Sequence, residues 1–355
     1  MREFPENHEG RQIIVAPNWI GDAAMAAPFF ASLRAAFPGD RIEALAAPWA
    51  AGILDTFPWL DAVLRTEGGK WRSFFLARSK TRRNGIKALW LLPNSFRSAL
   101  LGRWLGAPRR IGYAAGGRGW LLTHPVPPPP DKPPLHLVDY YLGLLEAQGV
   151  TPTRRVVRLP VSPEAAEFAE RLIGEETGGG EMPLIGLNPG AFFGASKTWP
   201  VESYAALARR LAAGGRVRVL VLGGPKEADL AGRVCAAAEG AAINLAGKDS
   251  LQTLPGLLAR LSVLVSGDTG PLHIAALVGV RTVSLFGPTD PLRTAPLGKA
   301  HRHLRREMEC SPCFERVCPL GHHRCMKEIS PEEVAEEVEE ILANALPVRP
   351  AEAPK

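Results

Sequence analysis

Short apolar runs alternate along this chain with longer stretches whose apolar positions recur every three to four residues. The first kind predicts buried strands and the second amphipathic helices. In the first half the pattern predicts strands over 12–16, 42–46, 62–64, 86–92 and 110–113, separated by helices over 23–37, 50–57, 71–83, 96–105 and 136–148. The stretch 126–134 is proline-rich and reads as irregular. In the second half strands are predicted over 184–188, 217–222, 242–245, 263–265 and 282–286. The accompanying helices are 164–174, 203–213, 250–261, one opening after Asp268, and a closing one over 331–346. Strands that are apolar throughout, each followed by a helix, predict parallel sheets covered on both faces. The chain is therefore read as α/β, with two doubly wound domains. The boundary falls in the proline-bearing stretch 150–163, which assigns 1–160 to the first domain and 161–346 to the second, and leaves 347–355 as a disordered tail.

The composition, 46% apolar and 22% charged over 355 residues, is that of an ordinary soluble protein large enough for two cores. No apolar run is long enough to cross a bilayer, and the polar, acidic start of the chain does not read as a secretory leader. The expected location is the cytoplasm. The net charge of +6 is unevenly placed: from Arg65 to Arg118 there are thirteen Lys or Arg and one acid, Glu67. A basic field of that density attracts phosphates, carboxylates or an anionic membrane surface. Within it, 71–83 reads as a basic amphipathic helix suited to a membrane surface, and the alternative is a helix packing Trp71, Phe74 and Phe75 into the core. No nucleic-acid-binding motif accompanies the charge, so nucleic acid is not expected as a partner.

Candidate chemistry gathers where predicted strands end. In open α/β sheets ligands bind at the carboxyl ends of the strands. Asp22 follows the first strand in Pro17-Asn18-Trp19-Ile20-Gly21-Asp22, where its plain alternative is a helix N-cap. Lys197 lies in the glycine-bearing loop after 184–188. That loop lacks the Walker spacing but places a cation near a helix start, where it can meet phosphate. In Ser266-Gly267-Asp268-Thr269-Gly270-Pro271-Leu272-His273 a buried strand gives way to a helix whose first turn offers free N–H groups to an anion. Asp268 and His273 flank that start. Glu227 follows the 217–222 strand. Two α/β domains joined by a proline-bearing linker imply a cleft between them, the usual place for a ligand.

Four segments in order, Pro17 to Asp22, Asn188-Pro189-Gly190 with Lys197-Thr198-Trp199-Pro200, Gly267 to His273, and Leu285-Phe286-Gly287-Pro288-Thr289, resemble the ADP-heptose:lipopolysaccharide heptosyltransferases of glycosyltransferase family 9. The resemblance runs from about Ile13 to the last helix, and is strongest to members that add the second heptose of the inner core. It implies the GT-B architecture, two Rossmann-like domains facing across a cleft, the first for acceptor and the second for donor. It implies an inverting, metal-independent transfer of L-glycero-D-manno-heptose from ADP-heptose to the first heptose of Kdo-lipid A, at the cytoplasmic surface of the inner membrane. On that reading Asp22 is the base. Lys197, Thr269 and Gly270 meet the diphosphate, Asp268 the donor sugar, His273 the sugar or phosphate, and Glu227 the ribose. Arg65, Arg97 and Arg118 are candidates for the anionic lipid A-core acceptor. Phe192 and Phe193 stand where some heptosyltransferases carry small hydroxyl residues. A GT-B transferase for another sugar, or with the acceptor of the first heptosyltransferase, and a non-catalytic binding module for anionic glycolipid are the other readings.

One motif falls outside this scheme. Cys310, Cys313, Cys318 and Cys325 form a C-x2-C-x4-C-x6-C run with His322 and His323 inside it, and only Cys235 lies elsewhere. Four thiols so close have the makings of a structural zinc or iron–sulfur site, although no cofactor is required by the chemistry above. Free thiols or adventitious disulfides are the alternatives.

Overall fold

In the computed structural model, residues 10–66, 85–130 and 132–344 are described. The helix expected over 71–83, most of the chain's first ten residues and the tail after 346 lie outside them. The chain divides into two compact units. One runs to Ala165 and takes in Ser250–Pro255 and Leu292–Thr294; the other comprises Ala166–Asp249, Gly256–Pro291 and the chain from Ala295 onward.

The first unit is built on β1 (Arg11–Val15), β2 (Arg41–Ala46), β3 (Ala62–Arg65), β4 (Ile86–Leu91), β5 (Arg110–Tyr113) and β6 (His124–Val126). They form one sheet in the order β3-β2-β1-β4-β5-β6, with every neighbouring pair parallel. The second unit repeats the plan with β7 (Leu184–Asn188), β8 (Arg218–Val221), β9 (Ile243–Asn244), β10 (Val263–Gly267), β11 (Arg281–Phe286) and β12 (His301–Arg305), ordered β12-β11-β10-β7-β8-β9 and again all parallel. Both orders are the Rossmann order, in which the chain starts at the middle of the sheet, winds to one side and returns to wind to the other. The reversal leaves a crevice between the first and fourth strands. β1, β7 and β10 are buried along their whole length, which is why β7 and β10 are largely apolar rather than alternating, while β1 buries Arg11 and Gln12 ahead of its apolar end.

Three local departures from the sequence pattern have simple causes. The helix expected over 23–37 is two, Ile20–Met25 and Ala27–Ala36, because Pro28 has no N–H to continue the first and sits instead in the opening turn of the second. β6 contains Pro125 and β12 reads His-Arg-His-Leu-Arg, so neither shows an apolar run. Both are edge strands, where one side needs no partner and charge blunts unwanted pairing. The helix expected over 250–261 is confined to Leu254–Ala259.

The core of the second unit is anchored by Trp199, which is fully buried. Its indole packs edge-on against Tyr204 at 4.9 Å and donates to the Ile329 carbonyl at 3.0 Å. The Tyr204 hydroxyl in turn donates to the Asn188 carbonyl at 3.1 Å, at the last residue of β7. The loop after β7, the helix Val201–Ala212 and the start of the closing helix Pro331–Ala343 are thus fixed by one aromatic pair. Trp199→Ala is expected to lower stability by about 3–5 kcal/mol, and Trp199→Phe by less, since it loses mainly the indole bond. Urea unfolding measures both, and an unchanged midpoint for the alanine variant would refute the anchoring role.

Candidate active site

The second unit gathers most of the expected residues at the carboxyl ends of β7 and β10, the crevice its strand order predicts. β7 ends in Asn188, whose side-chain amide donates to Ser266 Oγ at 3.0 Å and Thr269 Oγ1 at 3.1 Å. The two hydroxyls are themselves 2.9 Å apart. This chain of polar groups ties the end of one strand to the end of its neighbour. It also occupies the Thr269 hydroxyl, so Thr269 is the N-cap of helix Gly270–Val278 by backbone position, without a capping side-chain bond. Gly270 opens the helix and Pro271 follows in its first turn.

Above that junction sits a buried charge cluster. Lys197 Nζ donates to Asp268 Oδ2 at 2.8 Å and to the Asp268 carbonyl at 2.8 Å, and His273 Nε2 lies 3.1 Å from Asp268 Oδ1. Asp268 and His273 are 6% and 5% exposed, so the carboxylate is held almost wholly by protein donors. Burial alone would push the Asp268 carboxyl up; the bond from His273 and the charge of Lys197 outweigh it and hold the carboxyl far below the usual range. The lysine ammonium also lies 4.9 Å above the Phe193 ring. An ammonium has three donors, and the bonds to Asp268 use two. The pair is net neutral, so what Lys197 offers a phosphate is a placed donor more than a free charge.

Two glycines make the approach possible. A Cβ on Gly267 would stand 2.9 Å from the Lys197 carbonyl, and one on Gly190 would fall within 2.7 Å of the Glu227 carboxylate. Glu227 therefore lies directly over the loop that follows β7, and it accepts from the Gly224 N–H at 2.8 Å. Near it is a carboxyl that sequence patterning misses, Asp249. Burial, with the charge of Glu227 added, raises its pKa to about 6. Asn188 and Ser266 also went unselected as site residues, although a polar side chain ending an otherwise apolar buried strand is a readable signal.

In the first unit the corresponding crevice lies where β1 and β4 end. Asp22 occupies the first turn of helix Ile20–Met25. Burial raises the Tyr141 phenol well above its usual range, and the charge of Asp22 adds to that. Arg97 is exposed in the first turn of helix Phe96–Leu105, just beyond the end of β4. Arg65 ends the edge strand β3 and is paired with Asp55. Arg118 corrects an expectation: it is fully buried, not a surface cation awaiting an anion. Its guanidinium donates to the carbonyls of Tyr113 at 2.9 Å, Ser95 at 3.3 Å and Pro93, to Ser98 Oγ at 2.8 Å and to Asn94 Oδ1 at 3.2 Å. Those bonds hold the loop after β4, and they leave Arg118 no exposed face for an acceptor.

The cysteine run folds onto the same edge of the second unit. Cys310, Cys313, Cys318 and Cys325 line one small cavity with Ser196, Gly287, Pro288, His322 and His323. All are free thiols. Backbone N–H groups, that of His323 foremost, draw the Cys318 thiol down, while burial and the three neighbouring thiols push Cys325 up.

Comparison with known proteins bears on the whole chain. Residues 77–324 match the model of glycosyltransferase family 9 (heptosyltransferase). The chain is 28% identical over 343 residues to lipopolysaccharide heptosyltransferase 2 of Salmonella typhimurium, covering 93% of this chain and 98% of that one. The structure of ADP-heptose LPS heptosyltransferase II from Escherichia coli matches with a TM-score of 0.77 and 27% identity, over 94% of this chain and 98% of that one. A glycosyltransferase family 9 structure from Veillonella parvula matches in fold with a TM-score of 0.85 at 22% identity, over 96% and 99% of the two chains. The likeness to these structures carries the GT-B fold expected from the sequence.

Replacing Asp268 by Asn leaves the Lys197 ammonium buried without its counter-charge. The expected cost is about 3–5 kcal/mol, and Lys197→Met in the same chain should recover much of it. A double-mutant cycle in urea measures the coupling, and additive effects would show that the pair does not act as a unit. Because the Asp268 pKa is lowered on folding, its stabilisation is complete above the usual carboxylate range and is lost as pH falls toward the much lower folded value. The Asp268→Asn chain should lack that part of the acid limb.

Proposed function

The chain belongs to glycosyltransferase family 9, and from that premise we propose that this glycosyltransferase moves L-glycero-D-manno-heptose from ADP-heptose to the first heptose of the Kdo-lipid A inner core in lipopolysaccharide biosynthesis. The proposed reaction inverts the anomeric centre and needs no catalytic metal. The observation that carries this reading is the Lys197–Asp268–His273 cluster beside the opening of helix Gly270–Val278, at the crevice of the second sheet. It is an arrangement suited to a sugar linked to a diphosphate. The names of two relatives, lipopolysaccharide heptosyltransferase 2 and ADP-heptose LPS heptosyltransferase II, support the choice of sugar and product.

In this mechanism Asp22 accepts the proton of the acceptor hydroxyl as that oxygen forms its bond to the anomeric carbon. The bond from that carbon to the β-phosphate oxygen breaks, and its electron pair leaves with ADP. Negative charge grows on the departing diphosphate. The remaining Lys197 donor and the free N–H groups of Gly270 and Leu272 meet it, while Pro271 has none to give. Asp268 fixes Lys197 and His273, and His273 faces the sugar or its phosphate. Glu227, held over Gly190, is the ribose contact. Of the three arginines considered for the acceptor, Arg65 and Arg97 remain. We place the work at the cytoplasmic face of the inner membrane, where the lipid-linked acceptor is presented. Among the described residues no helix is long and apolar enough to cross a membrane.

The decisive assay offers ADP-heptose, beside UDP- and GDP-sugars, to a mono-heptosylated Kdo-lipid A acceptor. Transfer from ADP-heptose alone is expected. Asp22→Asn should lower kcat by about 10²–10⁴-fold with ADP affinity unchanged. Undiminished turnover would remove Asp22 as the base, and transfer from another nucleotide sugar instead would overturn the donor assignment.

A further inference from the structure

Transfer of a sugar uses no thiol, yet four of the five cysteines lie within 310–325. That segment has little regular structure of its own. Between β12 and the closing helix Pro331–Ala343 its regular structure is the four-residue helix Arg324–Lys327. Its larger apolar side chains point outward: Phe314 is 48% exposed, Val317 70% and Leu320 62%. Phe314 and His323 both take left-handed backbone conformations, with φ of 58° and 54°. The loop's buried apolar side chains, Met326 and Ile329, lie at its far end, so the stretch 310–320 does not keep one shape by packing alone, and small folds of this kind are usually held by a cross-link.

The four thiols face one cavity of about 20 Å³, shared with His322 and His323. That is room for about one water-sized occupant, and far too little for a four-iron cluster. Each histidine has one ring nitrogen engaged elsewhere. His323 Nε2 is 2.7 Å from the Ser196 carbonyl, and His322 Nδ1 accepts from the Arg324 N–H at 3.0 Å. The four sulfurs alone supply the number and softness of donors that a thiophilic ion takes in a closed tetrahedral shell. The Cys318 sulfur also accepts from the His323 N–H at 3.4 Å, the kind of backbone bond that supports a thiolate. Among the described residues no three His, Cys, Asp or Glu side chains are yet gathered into a coordination shell. The cavity is lined but open, and ligation would draw the sulfurs inward.

We infer that Cys310, Cys313, Cys318 and Cys325 bind one thiophilic divalent ion, zinc or ferrous iron, as a tetrathiolate, and that this ion clamps the loop carrying Lys197. Four thiolates complete a tetrahedral shell and leave no open position, which marks a structural site. Each ligating cysteine releases its proton to solvent on binding. The clamp follows from the loop's contacts. Ser196 N donates to the Arg316 carbonyl at 3.1 Å, and Ser196 Oγ donates to the Glu315 carbonyl. Arg316 also lies 5.6 Å from the Phe193 ring, on which Lys197 rests as well. On the other side Phe314 N donates to the Pro288 carbonyl at 2.8 Å, and Ser311 Oγ to the Gly287 carbonyl at 2.6 Å. The cysteine segment is thereby bound to the loops after β7 and β11, and what stiffens it stiffens Lys197.

The test uses the full chain purified with its thiols reduced. Its metal content is measured by mass spectrometry, the metal is removed with a chelator, and Co²⁺ is added back. Hydrogen–deuterium exchange is followed with and without metal. The expected result is about one zinc or iron per chain, visible bands of tetrahedral thiolate cobalt, and faster exchange of amides 190–198 after chelation, with β1 to β5 unchanged. Cys310→Ser with Cys313→Ser should lose the metal. Where that variant fails to fold, the chelated natural chain decides. A protein without stoichiometric metal that takes up no Co²⁺, or one that keeps its metal after both substitutions, overturns the site. Bound metal whose removal leaves 190–198 unaffected overturns the clamp. None of these readouts uses transfer, so failure here leaves the transferase assignment standing.

Discussion

The bond between Lys197 and Asp268 is the constraint on which the crevice of the second unit depends. It joins a loop that leaves one inner strand to the first turn beyond its neighbour, across the point where the winding of the sheet reverses. An ion pair this deep is costly to desolvate and adds little net stability over an apolar pair of the same shape. Its worth lies in geometry. The carboxylate fixes two other groups, the ammonium and the His273 ring, at 2.8 and 3.1 Å, so three polar side chains share one arrangement before any ligand arrives. Preorganised donors need not reorient as charge develops in a transition state, and that is the source of their catalytic effect.

The same economy appears in the neighbouring contacts. Gly267 and Gly190 hold no side chains because the Lys197 backbone and the Glu227 carboxylate occupy the space a Cβ would need. Asn188 serves twice: its carbonyl receives the Tyr204 hydroxyl from the core, and its amide reaches Ser266 and Thr269 at the surface of the crevice. The buried aromatic pair and the site are linked through that one residue. Packing in the core is thus transmitted to the position of the helix start by two hydrogen bonds.

Much of this was legible in the sequence, for a physical reason. Inner parallel strands must be apolar on both faces, so β1, β4, β7, β10 and β11 stand out as runs, and whatever polar residues follow them must lie at the ligand edge. Asp22, Lys197, Asp268 and His273 are singled out in the sequence that way. Edge strands escape this logic: β12 carries four charged or imidazole side chains and β6 a proline, because one side of each faces no partner strand. Arg118 shows a second limit. Counting charge along the chain gives the sign of a region but not the depth of any member. The guanidinium that contributed to the basic stretch spends its donors on oxygens of Tyr113 and of the 93–98 stretch, the latter twenty or more residues away. Asp249 was invisible for a related reason, since its raised pKa comes from burial and from a neighbour twenty-two residues away.

Arg118 also changes how the first unit is understood. Two loops flank its crevice, one carrying Asp22 and the other Pro93, Asn94 and Ser95. The second loop owes its shape to a buried cation that satisfies three of its backbone or side-chain oxygens at once. Carbonyls turned inward to a guanidinium are not available to a ligand, so the face this loop offers is the remainder: the exposed Asn94 and Ser95 and the opening turn with Phe96 and Arg97. Each unit therefore builds its ligand edge by the same device, a cation from a loop fixing the oxygens of the turn beside it. In the second unit the cation spends two of its three donors on Asp268. In the first its bonds go to the loops around it.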